Sequence, residues 1–555
     1  MKKTMFAVLA LFFACQQRAD FAIINAKVFT VEKEQPLAEA VAIAGNRILA
    51  VGWLEQIQPL IDQHTEIYDA EGRLVIPGFN DAHLHFLSGG LNLTKLDLSG
   101  CRSMAEIETR LSRRVDSTPR GEWITGRGWD HTLFNEGRWP DKQQLDRIAP
   151  HHPVLLRRID GHVAWANSAA LAAAAVGTST PDPDGGEIQR DPVTREPTGI
   201  LKETAAGLVS RLVPPPSREE KRQAIVQALK HAAALGVTSI QDNSGEESLS
   251  LYQELQAMGA LNLRVTEWLS LDLAADSDSI IAAAERCARH CDGEQIRLGL
   301  LKGFVDGTLG SRTALFFEPY EDDASTYGLA QMSLDRLTRL VCTADSLGWQ
   351  IGLHCIGSKA NWMALRAYGE ANRRYGERDR RHLLEHAQVL RPHDFALLHQ
   401  TGVIASMQPT HCSSDLRWAE ARIGANRCLG AYAWRTILRH QGRIAFGTDW
   451  PVEPLDPMRG LYAATTRRNI ESGAPESGWF PQQKLTMAEA IRLYTLDSAY
   501  AEFQENVKGS LAPGKAADLV VLSRDLLTVS EDEILDTRVD LTLFDGRVVY
   551  RREGH

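Results

Sequence analysis

Eight strand-like runs, most of them separated by helical patterns, constrain the fold of this chain more than any other feature. In order they are "VIPGFNDAHLH", "GVTSIQD", "LRVTEWLSL", "IRLGLLKGFVDG", "WQIGLHCIG", "RHLLEHAQV", "GVIASMQP" and "GRIAFGTDWP". Amphipathic stretches such as "REEKRQAIVQALKHAAALG" and "SLDRLTRLVCTADSLG" lie between them. Strands alternating with helices argue for parallel pairing, and eight such units close into a (β/α)8 TIM-type barrel, an α/β fold. Residues from about 88 to 230 exceed the count. They read as an insertion between the first two strands, with an apolar strand of their own in "PVLLRRIDGH". Such an insertion is expected to cover part of the barrel mouth, because barrel loops build the site there.

Both chain ends read differently. Residues 21–77 and 506–555 are short strands punctuated by turn residues, and they suggest one small β-sandwich closed by the two termini. The barrel then spans 78–505. Residues 1–20 stand apart: Lys2 and Lys3 precede an apolar run that ends at Ala14-Cys15. This pattern is a short secretory signal of the lipoprotein type, with Cys15 as the lipidated first residue of the mature chain. An ordinary signal peptide is the alternative. The expected location is the periplasm or, through the lipid, the outer membrane of a bacterium. The chain has eight cysteines, and if Cys15 is lipidated the seven that remain cannot all pair. Cys287 and Cys291 lack the second pair that a zinc knuckle needs. The net charge of -10 argues against a nucleic-acid partner and leaves homo-oligomer formation open.

The strand ends carry the chemistry. His83 and His85 are one residue apart, so in a strand both side chains point to one face. That spacing alone is equally the mark of two polar residues on a solvated face. The other strands decide. Lys302 interrupts the fourth, His354 and His386 end the fifth and sixth, and Asp449 ends the eighth. His354 and His386 are 32 residues apart, and His386 and Asp449 are 63 apart. Those intervals are one and two units of a barrel that averages roughly 31 residues per unit. A barrel gathers these ends around one mouth, where the six residues form a metal site.

The chain resembles the amidohydrolase superfamily, and most closely amidohydrolase family 3, which includes N-substituted formamide deformylases. The resemblance rests on "PGFNDAHLH", "GRGWDHTLF", "RRIDGHVAWANSAAL", "KGFVDGTLGSRTA", "EHAQ", "AYAWRTI", "FGTDWPVEPLDP" and "YTLDSAYAEFQENVKGSLAPGKAADLVVL". One departure is Ser358, where an aspartate is usual. The resemblance implies two divalent metal ions, zinc by the nitrogen and oxygen donors. It assigns His83, His85 and Asp449 to one ion and His354 and His386 to the other, bridged by a carboxylated Lys302. An ammonium has three donors and no lone pair, so some such modification is required before a lysine can bridge. A hydroxide between the metals would attack an amide, a non-peptide C–N bond, and Asp449 would carry the proton to the leaving nitrogen. The substrate is then a small amide. His162 is a candidate to reach the substrate or the oxyanion, and Arg312 to pair with a substrate carboxylate. Trp129 and Trp450 are candidates to wall the pocket or simply to pack. Two other readings are a mononuclear deaminase, which would lack the bridging lysine, and a non-catalytic surface lipoprotein.

Overall fold

The computed structural model describes residues 17–134, 138–158, 163–183, 186–271 and 293–553. Cys15, His162, Cys287 and Cys291 lie outside the described residues. The chain divides into two compact units, one made of the residues up to Phe86 together with those from Leu229 onward, the other of Leu87–Ala228.

The first unit contains eight parallel strands hydrogen-bonded in sequence order: β1 Phe79–Leu84, β2 Val237–Asp242, β3 Arg264–Ser270, β4 Ile296–Phe304, β5 Ile351–Cys355, β6 Leu383–His386, β7 Ile404–Met407 and β8 Arg443–Phe446. Nearly every residue of these strands is buried, as a parallel sheet covered on both faces requires. Ala82, Trp268, Leu300, Leu383, Ile404 and Ala445, from six different strands, share one apolar cluster.

The sheet is nearly closed, and its seam is bridged just beyond the ladder. The Asp81 carboxylate on β1 accepts from the Thr448 N–H at 2.9 Å and the Thr448 hydroxyl at 2.5 Å. The Asp449 N–H donates to the His83 carbonyl, and the His85 N–H to the Trp450 carbonyl, both at 2.7 Å. Gly447 permits this approach. A Cβ there would lie 2.5 Å from the His83 nitrogen and 2.6 Å from Asp81 Oδ1.

The opposite, N-terminal end of the barrel is plugged by polar groups that pair with one another. The Glu502 carboxylate accepts from Asn80 Nδ2 and Lys508 Nζ, each at 2.7 Å, and from the Thr266 hydroxyl. Lys508 also reaches the Ser239 hydroxyl. Arg264 is held between Asp518 and Asp545 at 2.6 and 2.8 Å.

The run "VIPGFNDAHLH", expected as one strand, is two. Leu74–Pro77 belongs to a six-stranded sheet with Leu519–Leu522 and Val539–Phe544 from the other chain end, and β1 begins at Phe79. The change occurs at Gly78, whose N–H bonds to Asp518, while the next N–H bonds to Gly236 beside the barrel strand β2. A Cβ on Gly78 would lie 2.1 Å from the Thr238 hydroxyl oxygen, so the crossing needs glycine. A four-stranded sheet containing Phe21–Ile24, Ala40–Ala44, Arg47–Gly52 and Glu66–Asp69 shares an apolar core with the six-stranded one, including Ile23, Val41, Val75, Val521 and Leu541.

The second unit has a six-stranded sheet of its own, in which Val154–Arg158 is one strand beside Ile124–Trp129 and Val163–Ala166. Trp129 lies in its core with Leu111, Leu156 and Trp165.

The polar plug generates a prediction. Lys508→Met leaves the buried Glu502 carboxylate without its counter-charge and should destabilise the first unit by roughly 3–5 kcal/mol. Denaturant unfolding reads this as a lowered midpoint. An unchanged midpoint would show that the pair contributes nothing.

Candidate metal centre

All six strand-end residues meet at the C-terminal mouth of the barrel. His83 lies in β1 and His85 just beyond it, Lys302 in β4, His354 in β5, His386 at the end of β6, and Asp449 shortly after β8. Asp449 Oδ1 is 3.5 Å from His83 Nε2 and 3.2 Å from His85 Nε2. One donor atom each from His83, His386 and Asp449 fall within 4.8 Å of one another. The His354 ring centroid is 4.5 Å from that of His386. Lys302 is fully buried, its Nζ 5.0 Å from the Phe304 ring centroid and 5.9 Å from that of Trp268.

The local backbone is bent to aim these groups. His386 and Asp449 have φ of +71° and +59°, and Ala387 has +43°. Non-glycine residues adopt this left-handed region at a cost, and such strain concentrates at functional sites. Protein acceptors then fix the rings. The His85 Nδ1–H faces the Asn243 carbonyl at 3.1 Å, and the His386 Nδ1–H faces Gln408 Oε1 at 2.7 Å. His83 Nδ1 lies 3.6 Å from the Glu385 carboxylate. His354 is turned the other way, with Nε2 against the Gly307 carbonyl at 3.1 Å. Asp306 fastens the surrounding loop, accepting from the N–H groups of Leu315, Ile356 and Gly357 at 2.8–3.0 Å. Burial pushes its carboxyl up to about 7 against those bonds.

The electrostatics favour cation binding. Burial, reinforced by Lys302, lowers the pKa of His83, and at His354 the same causes lower it to about 4. Burial and the His354 ring do the same for His386. These imidazoles are neutral and keep a lone pair for a metal. Burial alone would raise the Asp449 carboxyl, but His85, His83, His386 and His411 hold it well below the carboxylate range. At His85 burial is outweighed by Asp449, and the pKa rises, so a positive charge is favoured between the two. Burial lowers the Lys302 ammonium against the pull of Glu385 and Asp449. Asp449 Oδ1, His83 Nδ1 and His411 Nε2 are buried without a hydrogen-bond partner. Buried polar atoms are rarely left so, and a missing ion partner is a standard reason when they are. The donor set of imidazole nitrogens and carboxylate oxygen fits a divalent metal.

Residues 66–550 match the amidohydrolase family. The chain belongs to that family. It is 34% identical to Protein LONG AFTER FAR-RED 3 of Arabidopsis thaliana, over 96% of this chain and 92% of that one. It is 29% identical to the N-substituted formamide deformylase of Arthrobacter pascens, over 97% and 99% of the two chains. A solved metal-dependent hydrolase from Pyrococcus furiosus superimposes with a TM-score of 0.73 at 31% identity, covering 92% of this chain and 100% of that one.

Three candidates for substrate contact in this amidohydrolase are engaged elsewhere. The Arg312 guanidinium is held by the Asp322 carboxylate through two bonds of 3.0 and 2.9 Å. Trp129 is fully buried in the core of the second unit, with its indole N–H donating to the Leu156 carbonyl at 2.9 Å. Trp450 is buried against Phe86 and His231, with ring centroids 5.7 and 6.0 Å away. Sequence reasoning also passed over Glu385, Gln408 and His411. The available signal was polarity at strand ends: Glu385 precedes His386, and "QPTH" follows the seventh apolar run.

The Gln408 contact is testable. Gln408→Leu removes the acceptor that orients His386, and outer partners of ligating histidines typically contribute about 10–100-fold in metal affinity. Competition with a chelator should show zinc binding weakened by that factor. Unchanged affinity would remove Gln408 from the centre.

Proposed function

We propose that this amidohydrolase hydrolyses the C–N bond of a small non-peptide amide at the barrel mouth. The observation that carries the reading is the convergence of His83, His386 and Asp449 donor atoms within 4.8 Å, with Asp449 Oδ1 left unpartnered. In this reading His83, His85 and Asp449 hold one divalent ion, and His354 and His386 hold a second. Zinc suits these donors best. Lys302, as a carbamate formed with carbon dioxide, would offer such ions two oxygen donors in place of a buried ammonium. Bound there, a divalent ion supplies water acidified to a pKa of about 7 and polarises the amide carbonyl.

The remaining work falls to the chain. Asp449 accepts the proton of the attacking water and hands it to the leaving nitrogen, so that the amine departs neutral. Asn243 and Gln408 keep the His85 and His386 imidazoles in the tautomer that presents Nε2 to the mouth. The name of the Arthrobacter relative, an N-substituted formamide deformylase, places formamides first among the amides to test. The deaminase reading is weaker because Lys302 is buried on β4 beside Asp449 and Glu385, where a mononuclear site has no use for it. We also take the two sheets of the chain ends as a small sandwich, and Cys15 as the lipid attachment point of an exported protein, which mass measurement of the mature N-terminus tests.

The experiment is a screen of zinc-loaded protein against N-substituted formamides, N-acyl amino acids and cyclic amides, with Asp449→Asn in parallel. Wild type should release amine from at least one class, and Asp449→Asn should lose roughly 10²–10⁴-fold or more in kcat. Near-normal kcat in a zinc-replete Asp449→Asn sample would remove Asp449 from the proton transfer.

A further inference from the structure

One imidazole at the mouth has no task in the reading above. His411 stands on the short helix Pro409–Asp415 that follows β7. Its Nε2 is buried without a hydrogen-bond partner. It lies 3.7 Å from Asp449 Oδ2, and its ring stacks on His386 at a centroid distance of 5.8 Å and an interplanar angle of 20°. The two oxygens of Asp449 therefore face different ways. Oδ1 faces His83 Nε2 and His85 Nε2, and Oδ2 faces His411.

The separation of 3.7 Å is too long for a hydrogen bond. His411 is thus held beside the carboxylate without being committed to it. Its helix is anchored from behind: Asp415 accepts from the Tyr432 hydroxyl at 2.6 Å and from Gln388 at 2.8 Å. The residue before the helix, Gln408, is the one that orients His386. A fixed, buried donor with no acceptor, next to the proposed general base, is placed where charge develops on a substrate.

We propose that the His411 Nε2–H donates a hydrogen bond to the oxygen of the scissile carbonyl and stabilises the oxyanion formed when water adds. The proton stays on His411 throughout. The carbonyl oxygen gains the electron pair as the C–O bond forms and returns it as the C–N bond breaks. The benefit is a preorganised donor that costs no reorganisation in the transition state. This inference rests on the metal-hydrolase reading.

The test uses the full-length zinc-loaded chain and inorganic phosphate, a tetrahedral anion, as the probe. Zinc content and phosphate affinity are measured for wild type, His411→Ala and His411→Gln. The glutamine amide nitrogen can occupy the place of Nε2 and keeps the donor. Zinc content should be the same in all three. His411→Ala should bind phosphate at least about tenfold more weakly, as expected for losing a hydrogen bond to a charged group. His411→Gln should recover most of that loss. With an amide substrate in hand, the Ala change should lower kcat more than it raises KM. Phosphate affinity that is absent or indifferent to His411 overturns the inference while leaving the metal reading intact. Loss of zinc in His411→Ala makes the residue a ligand and overturns it too, as does a Gln variant as weak as Ala. A wild-type chain that takes up no zinc overturns the metal reading and this inference together.

Discussion

The seam between the first and last barrel strands is the constraint on which the rest of the structure depends. Asp81 binds the Thr448 N–H and hydroxyl, and two residues on, the His83 carbonyl accepts the Asp449 N–H. The same few residues therefore bridge the barrel and bring the Asp449 carboxylate to His83 and His85. A backbone hydrogen bond of 2.7 Å sets the position of the proposed base relative to its neighbouring imidazoles. Gly447 admits the approach, and the left-handed backbone at Asp449 turns the side chain inward. Closing the barrel and assembling the site are one event.

The two ends of the barrel contrast in how their buried polar groups are treated. At the N-terminal end Glu502 accepts from Asn80, Thr266 and Lys508, Lys508 also reaches Ser239, and Arg264 has two carboxylates, with Asn80 Oδ1 the one atom of that group left buried without a partner among the described residues. At the C-terminal end Asp449 Oδ1, His83 Nδ1 and His411 Nε2 are buried and unpartnered. Satisfied polar networks stabilise a core, whereas orphaned groups are costly unless a ligand completes them. The contrast agrees with the rule that barrel chemistry occupies the C-terminal face. The bonds around Asp306 and the Asn243 and Gln408 carbonyls hold the mouth rigid, so the donors need little rearrangement to meet an ion.

The barrel strands and their polar ends were legible in the sequence because each interrupts a long apolar run near one end. His83, His354, His386 and Asp449 stand out for that reason, as does Lys302 inside "IRLGLLKGF", although a lone strand-end lysine could equally serve a salt bridge. The split at Gly78 was not legible. Apolarity continues on both sides of it, and only the close approach of Thr238, remote in sequence, shows why the chain changes sheets there. The Arg312 pairing was illegible for a related reason: its partner Asp322 sits on the same loop, and a sequence does not say which of several acids an arginine will choose. Trp129 was ambiguous because an aromatic residue serves a pocket and a core equally well, and its neighbours Trp165 and Leu156 arrive from other strands. Glu385 adjoins His386, and Gln408 and His411 follow the seventh strand, but their roles depend on ring orientation, which strand periodicity does not carry.

The proposed chemistry turns on buried Lys302, which as a carbamate would bridge two ions at the mouth. A crystal structure of the protein loaded with zinc in the presence of bicarbonate tests this most directly, through anomalous scattering at the zinc edge. The account predicts two anomalous peaks, one against His83, His85 and Asp449 and one against His354 and His386, with carboxyl density on Lys302 Nζ between them. A single peak, or a bare amine on Lys302 in fully metallated and active protein, would contradict it.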